Sequence, residues 1–297
     1  MANLYSYQSA NIRRTWVLFI VFFAVVLGVG YVFSRVYEDP SIVFFAGVFS
    51  IVYALISYFG SAGIALSLAR AAPIEKKDNP ELYNLVENLA ITAGLPMPKV
   101  YITPELQINA FATGRDPKHA AVAVTQGALQ RLSRTELEGV MAHELSHVGN
   151  RDILVNTVAA ILAGIITLLA DIFLRSLFFG GGRRNDRGNA GAIFLLIGVA
   201  LSILAPFGTM LIQLAISRRR ESLADASGVL LTRYPDGLVS ALRKIGADQT
   251  AMRSAKSSTA HMWLDNPFKG QGATWFSKLF MTHPPIEDRI RALQVHQ

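Results

Sequence analysis

The chain has no cysteine among its 297 residues. That absence removes disulfides, Cys-ligated zinc fingers, iron–sulfur clusters and thiol catalysis together, and it fits a reducing compartment. Charge is scarce as well. Asp, Glu, Lys and Arg make up 16% of the residues, where a soluble domain has about a quarter. Hydrophobic residues make up 52%, too many for a disordered chain. Of the charges present, acids are the fewer: 21 against 28 basic residues, a formal net charge of +7. Two partners suit such an excess, nucleic acid and the anionic face of a membrane. The basic residues gather at the ends of apolar blocks and no nucleic-acid motif is present, so the reading is a lipid bilayer and no nucleic acid.

There are four apolar blocks. Residues 15–34 and 41–69 contain no charge. A third block runs from Asp152 to about Leu174, with Asp171 near its end, and a fourth lies in the uncharged run 188–217. Each is long enough to cross a bilayer core, which takes about 20 helical residues. The first is too long for a signal-peptide core and lacks a clear cleavage site, so it reads as an anchor. Arg13 and Arg14 precede it, and Arg70, Lys76 and Lys77 follow the second block. The positive-inside rule then puts the N-terminus and residue 70 onward inside. Arg218, Arg219 and Arg220 after the fourth block agree. The loop 175–191 disagrees, since it holds Arg175, Arg183, Arg184 and Arg187. Blocks three and four therefore read either as full crossings or as a hairpin that dips in and returns.

Between the blocks the pattern is mixed. Asn79-Pro80 opens a helix over 79–93 with Leu82, Leu85, Val86 and Leu89 at helical spacing, stopped by Gly94 and Pro96. Lys99–Thr103, Ile108–Thr113 and Ala120–Thr125 are short and β-rich, and predict a small antiparallel sheet. Ser133 and Glu136 form a capping-box pattern that opens a helix running into the third block. Residues 218–297 read as mostly helical. His119, His261 and His296 look like surface residues without partners.

The predicted helix after Ser133 carries His143-Glu144-Leu145-Ser146-His147. Positions i and i+4 share a helix face, so two imidazoles there can hold one Zn²⁺. Glu144, one step on, is placed to take a proton from water and pass it to a leaving amine. With six histidines in the chain, chance gives about 0.004 such patterns. A catalytic zinc takes three protein ligands and one open position. Arg220-Glu221-Ser222-Leu223-Ala224-Asp225 offers Glu221 as the third ligand, with Asp225 four residues on to orient a histidine. His147 precedes the third block and Glu221 follows the fourth, so an excursion that leaves and returns brings both to one side.

Taken in order, Asn109-Ala110-Phe111-Ala112-Thr113-Gly114, His143–His147, Asn150-Arg151-Asp152, Glu221–Asp225 and Thr282-His283-Pro284-Pro285 resemble the HtpX-type membrane zinc metallopeptidases. Their broader family includes the CAAX prenyl endopeptidases. The resemblance covers nearly the whole chain. It implies an integral-membrane, mainly α protein: four hydrophobic helices and a zincin-like α+β metalloprotease domain. Residues 1–69 would be the anchor, 70–152 and 218–297 the two parts of the protease, and 153–217 a hydrophobic hairpin. It implies one Zn²⁺ per subunit on His143, His147 and Glu221, with Glu144 as base. Asn109, Ala110 and Phe111 would belong to an edge strand that pairs with an extended substrate, and His283 would steady the developing oxyanion. The implied substrates are misfolded or damaged membrane proteins, and the implied location is the bacterial inner membrane with the site facing the cytoplasm. A metal transporter or sensor using the same side chains is the competing reading. Oligomeric state is not legible.

Overall fold

The structure is a computed structural model and describes residues 4–179, 218–254, 260–269 and 284–294. The fourth apolar block and His283 lie outside the described residues, as does the second half of the expected hairpin.

The first two blocks form α1 (Leu4–Tyr37) and α2 (Ser41–Phe59), packed side by side. Within them Ser9–Arg35 and Ser41–Phe59 are long and apolar enough to cross a membrane. The uncharged run read as one segment over 41–69 is broken. Gly60 ends α2, and α3 (Ser61–Leu68) turns into the rest of the protein, where Ala65 and Leu66 are buried beside Phe111. Among the described residues two helices pass as spans on their own.

The polar part is built around a four-stranded sheet: β1 (Ala72–Pro73), β2 (Lys99–Thr103), β3 (Ala110–Gly114) and β4 (Ala120–Thr125). The order is β1-β2-β4-β3. β1–β2 and β3–β4 are antiparallel but β2–β4 is parallel, so the sheet is mixed where an antiparallel one is expected. The cause is the link at 104–109, which carries β3 past the place where β4 returns. β3 is thereby left at the edge. A tight turn makes the β3–β4 hairpin: Gly114 sits at φ +137°, where any Cβ would meet the His119 carbonyl oxygen at 2.5 Å. His119 is not partnerless, since its backbone N–H and ring both reach Asp116 at 2.8–3.0 Å.

α4 (Pro80–Thr92) is capped by Asn79, whose side chain accepts from the Leu82 N–H at 3.0 Å. After α5 (Gln126–Arg131), α6 (Arg134–Gly149) opens on the expected capping box. The Glu136 carboxylate accepts from the Ser133 N–H at 2.7 Å, and Ser133 Oγ accepts in return from the Glu136 N–H at 3.4 Å. α6 does not run on into the third block. It ends at Asn150, Arg151 takes the left-handed conformation at φ 58°, and α7 (Asp152–Phe179) leaves at a bend of 85°. α8 (Arg218–Thr232), α9 (Pro235–Ala247) and α10 (Ile286–Gln294) complete the described helices.

The core has two main parts. One packs α4, the sheet, α6 and α9 together through Leu85, Val122, Met141 and Leu145. The other joins α1 to α7 through Leu18, Phe22, Val158 and Leu162. The apolar first helix is therefore fastened to the element that follows α6, which fixes where the polar part stands relative to the spans.

Candidate metal centre

α6 is buried over nearly its whole length, held between the sheet, α8 and α9. His143 is 0% and His147 6% exposed. Burying two imidazoles is costly unless each polar atom is matched. The structure brings Glu221 to them from α8, and one donor atom from each of the three lies within 4.8 Å of the others. The two Nε2 atoms are 3.2 Å apart. The Glu221 oxygens stand 3.7 Å from His143 Nε2 and 3.7 Å from His147 Nε2. Close approach of α8 to α6 depends on Gly228, where a Cβ would lie 3.0 Å from the His143 backbone nitrogen.

The opposite ring nitrogens settle the chemistry. His143 Nδ1 is 2.9 Å from Asp225 Oδ1, and His147 Nδ1 is 3.1 Å from Asp152 Oδ2. A carboxylate only accepts, so each fixes a proton on the Nδ1 it faces. Both Nε2 lone pairs are then turned toward each other and toward the Glu221 carboxylate. Three electron-rich atoms at this spacing can share a cation between them. A tetrahedral zinc with bonds near 2.1 Å sets its ligand atoms about 3.4 Å apart, which agrees with 3.2, 3.7 and 3.7 Å. The residues present therefore fit a metal ion. Without one, a proton takes its place. Burial opposes charge on His147, but the hydrogen bond to Asp152 and the charges of Glu221, Asp152 and Glu144 outweigh it and raise its pKa to about 9.

The two outer carboxylates are themselves held. Arg289 of α10 donates to Asp225 at both oxygens, at 2.6 and 2.9 Å, a fork geometry suited to guanidinium. Burial disfavours the charged form of Asp225, yet Arg289 and His143 hold its pKa well below the carboxylate range. Asp152 is 0% exposed. Its Oδ1 accepts from Asn11 Nδ2 of α1 at 2.5 Å, and Asn11 also donates to the Asn150 carbonyl at 3.1 Å. Arg220 Nε lies 3.6 Å from the same oxygen. Sequence reasoning placed Arg289 in the polar shell without naming its partner, and missed the roles of Asp152 and Asn11. For Asp152 the available signal was its place five residues after His147. For Asn11 there was only its oddity as an amide near the start of an apolar helix.

Glu144 sits beside the group, 3% exposed, and its carboxylate has no hydrogen-bond partner among the described residues. It is close enough to act electrostatically on both His147 and Arg289.

β3 lies against α6. Its side chains are committed to the fold more fully than a substrate-contact reading expects. Asn109, just before the strand, is 1% exposed; its amide donates to the Asp265 carbonyl at 2.9 Å and accepts from the Asp265 N–H at 3.2 Å. Phe111 is 1% exposed and meets Trp263 edge to face at 4.7 Å. The Ala110 carbonyl accepts from the Leu264 N–H at 3.0 Å. The register with β4 turns the main-chain groups of Ala112 outward with those of Ala110, and among the described residues those of Ala112 are unbonded.

Known proteins share this sequence closely. The protease HtpX homolog of Caldanaerobacter subterraneus is 48% identical over 98% of this chain and 97% of its own. The protease HtpX homolog of Lactobacillus acidophilus is 47% identical over 98% and 99%. That of Thermococcus kodakarensis is 47% identical over 95% and 94%. The crystal structure of S. mikatae Ste24p aligns over 94% of this chain and 66% of its own, at 18% identity and a TM-score of 0.49. The model of peptidase family M48 matches residues 76–297, a stretch that holds all three converging donors, Glu144 and both outer carboxylates. This chain belongs to peptidase family M48.

Proposed function

We propose that the protein is a zinc-dependent membrane endopeptidase. One observation carries the reading. A carboxylate with no hydrogen-bond partner among the described residues, that of Glu144, stands beside a buried His143–His147–Glu221 group whose geometry calls for a cation. Zinc bound there would polarise a scissile carbonyl and lower the pKa of a water. Glu144 would take the proton of the attacking water and deliver it to the departing amine. Asp152 and Asp225 keep the imidazoles turned so that both Nε2 atoms face inward. The outward main-chain groups of Ala112 would accept an extended peptide by strand addition. Strand addition reads backbone rather than side chains, which suits substrates defined by being unfolded. Misfolded or damaged membrane proteins are the proposed class, and His283 is proposed to help steady the oxyanion. Basic residues flanking both spans support a site on the cytoplasmic face, in bacteria that of the inner membrane.

A metal transporter would hold its ligands near the middle of the spans. Here they lie outside both Ser9–Arg35 and Ser41–Phe59. Glu144→Gln separates the two readings. It is expected to keep one zinc per chain and to lose cleavage of an unfolded membrane protein by at least about a thousandfold. Undiminished cleavage by the purified variant would remove Glu144 as base. In Glu221→Ala, zinc is expected to be lost, and full zinc content would place the third ligand elsewhere.

A further inference from the structure

A cavity of about 780 Å³ lies between α1 and α2, away from the metal donors. Along α1 it runs from Ile12 to Phe23, and along α2 from Ser50 to Phe59. At 1.5 Å per residue these are depths of about 16 and 14 Å, half of a hydrocarbon core about 30 Å thick. The groove thus serves one leaflet. Its walls are apolar and unusually open, with Trp16 and Ile20 both 65% and Phe59 62% exposed. Its charged groups gather at one end. Arg115 and Asp116 come directly after β3, and Arg151 comes directly before Asp152. Arg115 lies over the Phe59 ring at 5.6 Å, at the C-terminal end of α2. Trp16 and Tyr58, rings that favour the headgroup level, line the groove too. Asp116 is engaged by His119 and stands 3.6 Å from Arg115, so the end carries one net positive charge.

We infer that this groove is a binding site for one anionic phospholipid of the leaflet that faces the metal centre, its acyl chain along Ile20 and Phe23 and its phosphate between Arg115 and Arg151. Depth and charge both favour a lipid over a substrate helix. A spanning helix needs the full 30 Å and offers no phosphate to two guanidiniums, whereas a diacyl lipid is half a bilayer long with its anion at one end. The site also abuts the frame of the metal centre. Thr15 of the groove donates to the Asn11 carbonyl at 3.1 Å, and Asn11 holds Asp152.

The test is lipid titration of the full-length chain in detergent micelles, read by native mass spectrometry. The probes are dioleoyl phosphatidylglycerol, dioleoyl phosphatidylcholine and glycerol 3-phosphate. One phosphatidylglycerol is expected to bind, about fivefold more tightly than phosphatidylcholine, as one net charge provides. Arg115→Gln with Arg151→Asn should erase that preference, Asn being a side chain that tolerates the left-handed backbone. Ala54→Trp, which fills the groove, should weaken both lipids. Arg115→Gln alone touches no metal-site residue and carries the test if the double variant folds poorly. Equal retention of the two lipids by the unaltered chain, or a preference that survives loss of Arg115, would overturn the site. So would glycerol 3-phosphate competing as well as the whole lipid, or a photoprobe at Ile20 that captures polypeptide instead.

Discussion

Asn11 of the first apolar helix and Asp152 stand 2.5 Å apart, and Asp152 in turn holds His147 Nδ1 at 3.1 Å. The membrane anchor therefore reaches the metal donors through two buried hydrogen bonds. Groups that orient ligand imidazoles commonly carry a 10–100-fold share of metal affinity. Asp152→Ala is expected to weaken zinc binding by about that factor, and Asn11→Ala by less, since Arg220 remains 3.6 Å from Asp152. Chelator competition on the purified chain measures both. An Asp152→Ala protein that holds zinc as tightly as the parent would leave His147 oriented by packing alone.

Gly228 tests how close the two ligand-bearing helices must lie. A Cβ there would sit 3.0 Å from the His143 backbone nitrogen and 3.2 Å from its Cα. The obstacle is backbone, which cannot swing aside, and overpacking of this kind costs about 1–3 kcal/mol. Gly228→Ala should lower zinc affinity several-fold, and Gly228→Val should prevent stoichiometric loading by moving Glu221 away. Zinc content by atomic absorption, beside helix content by circular dichroism, distinguishes a displaced ligand from an unfolded chain.

The parts of this centre that were legible in the sequence are those with a short period. His143 and His147 are one helical turn apart, as are Glu221 and Asp225, and the Ser133–Glu136 box announces its own helix. What escaped needed long-range geometry. Asn11 lies 141 residues from Asp152. Asp225 meets Arg289 across 64 residues. The bend at Arg151 was hidden because no proline stands between α6 and α7, although the backbone turns by 85° at Asn150-Arg151-Asp152. The break at Gly60 was hidden for a related reason: burial against protein in α3 and contact with lipid in α2 call for the same apolar residues. The antiparallel expectation failed at one pairing, because β2 and β4, which are not neighbours in sequence, run parallel.

Glu136 gives the fold an acid limit. Its carboxylate accepts from Ser240 Oγ at 2.6 Å, from Lys244 Nζ at 2.6 Å and from the Ser133 N–H at 2.7 Å. Burial alone would raise its pKa, but these partners lower it from 4.5 to about 2. A depressed carboxylate contributes stability in full above its unfolded pKa and loses it as pH falls through the folded one. The loss attributable to Glu136 thus falls between pH 4.5 and about 2. Glu136→Gln should melt earlier than the parent at pH 7, with the difference shrinking toward pH 2. A difference that is flat across that range would show that hydrogen bonding, not charge, supplies the effect.

His147 sets the opposite sign at the other end of the scale. In the metal-free chain its pKa is raised from 6.5 to about 9, so its contribution to stability is complete below pH 6.5 and disappears as pH rises through 9. A metal ion needs the same Nε2 lone pair and must displace that proton. Zinc binding at pH 7.5 should then release about one proton more than ligation by an ordinary neutral histidine would. Calorimetry in buffers of different ionisation enthalpy counts it. The chelated chain should melt at falling temperatures from pH 6.5 to 9, while the zinc-loaded chain should not, because its imidazole carries no proton to lose at Nε2. Asp152→Asn removes the hydrogen-bonded carboxylate that raises this pKa most but leaves Glu221 and Glu144, so it should reduce both the extra proton and the slope. If both were unchanged in that variant, Asp152 would not be what holds the proton on His147.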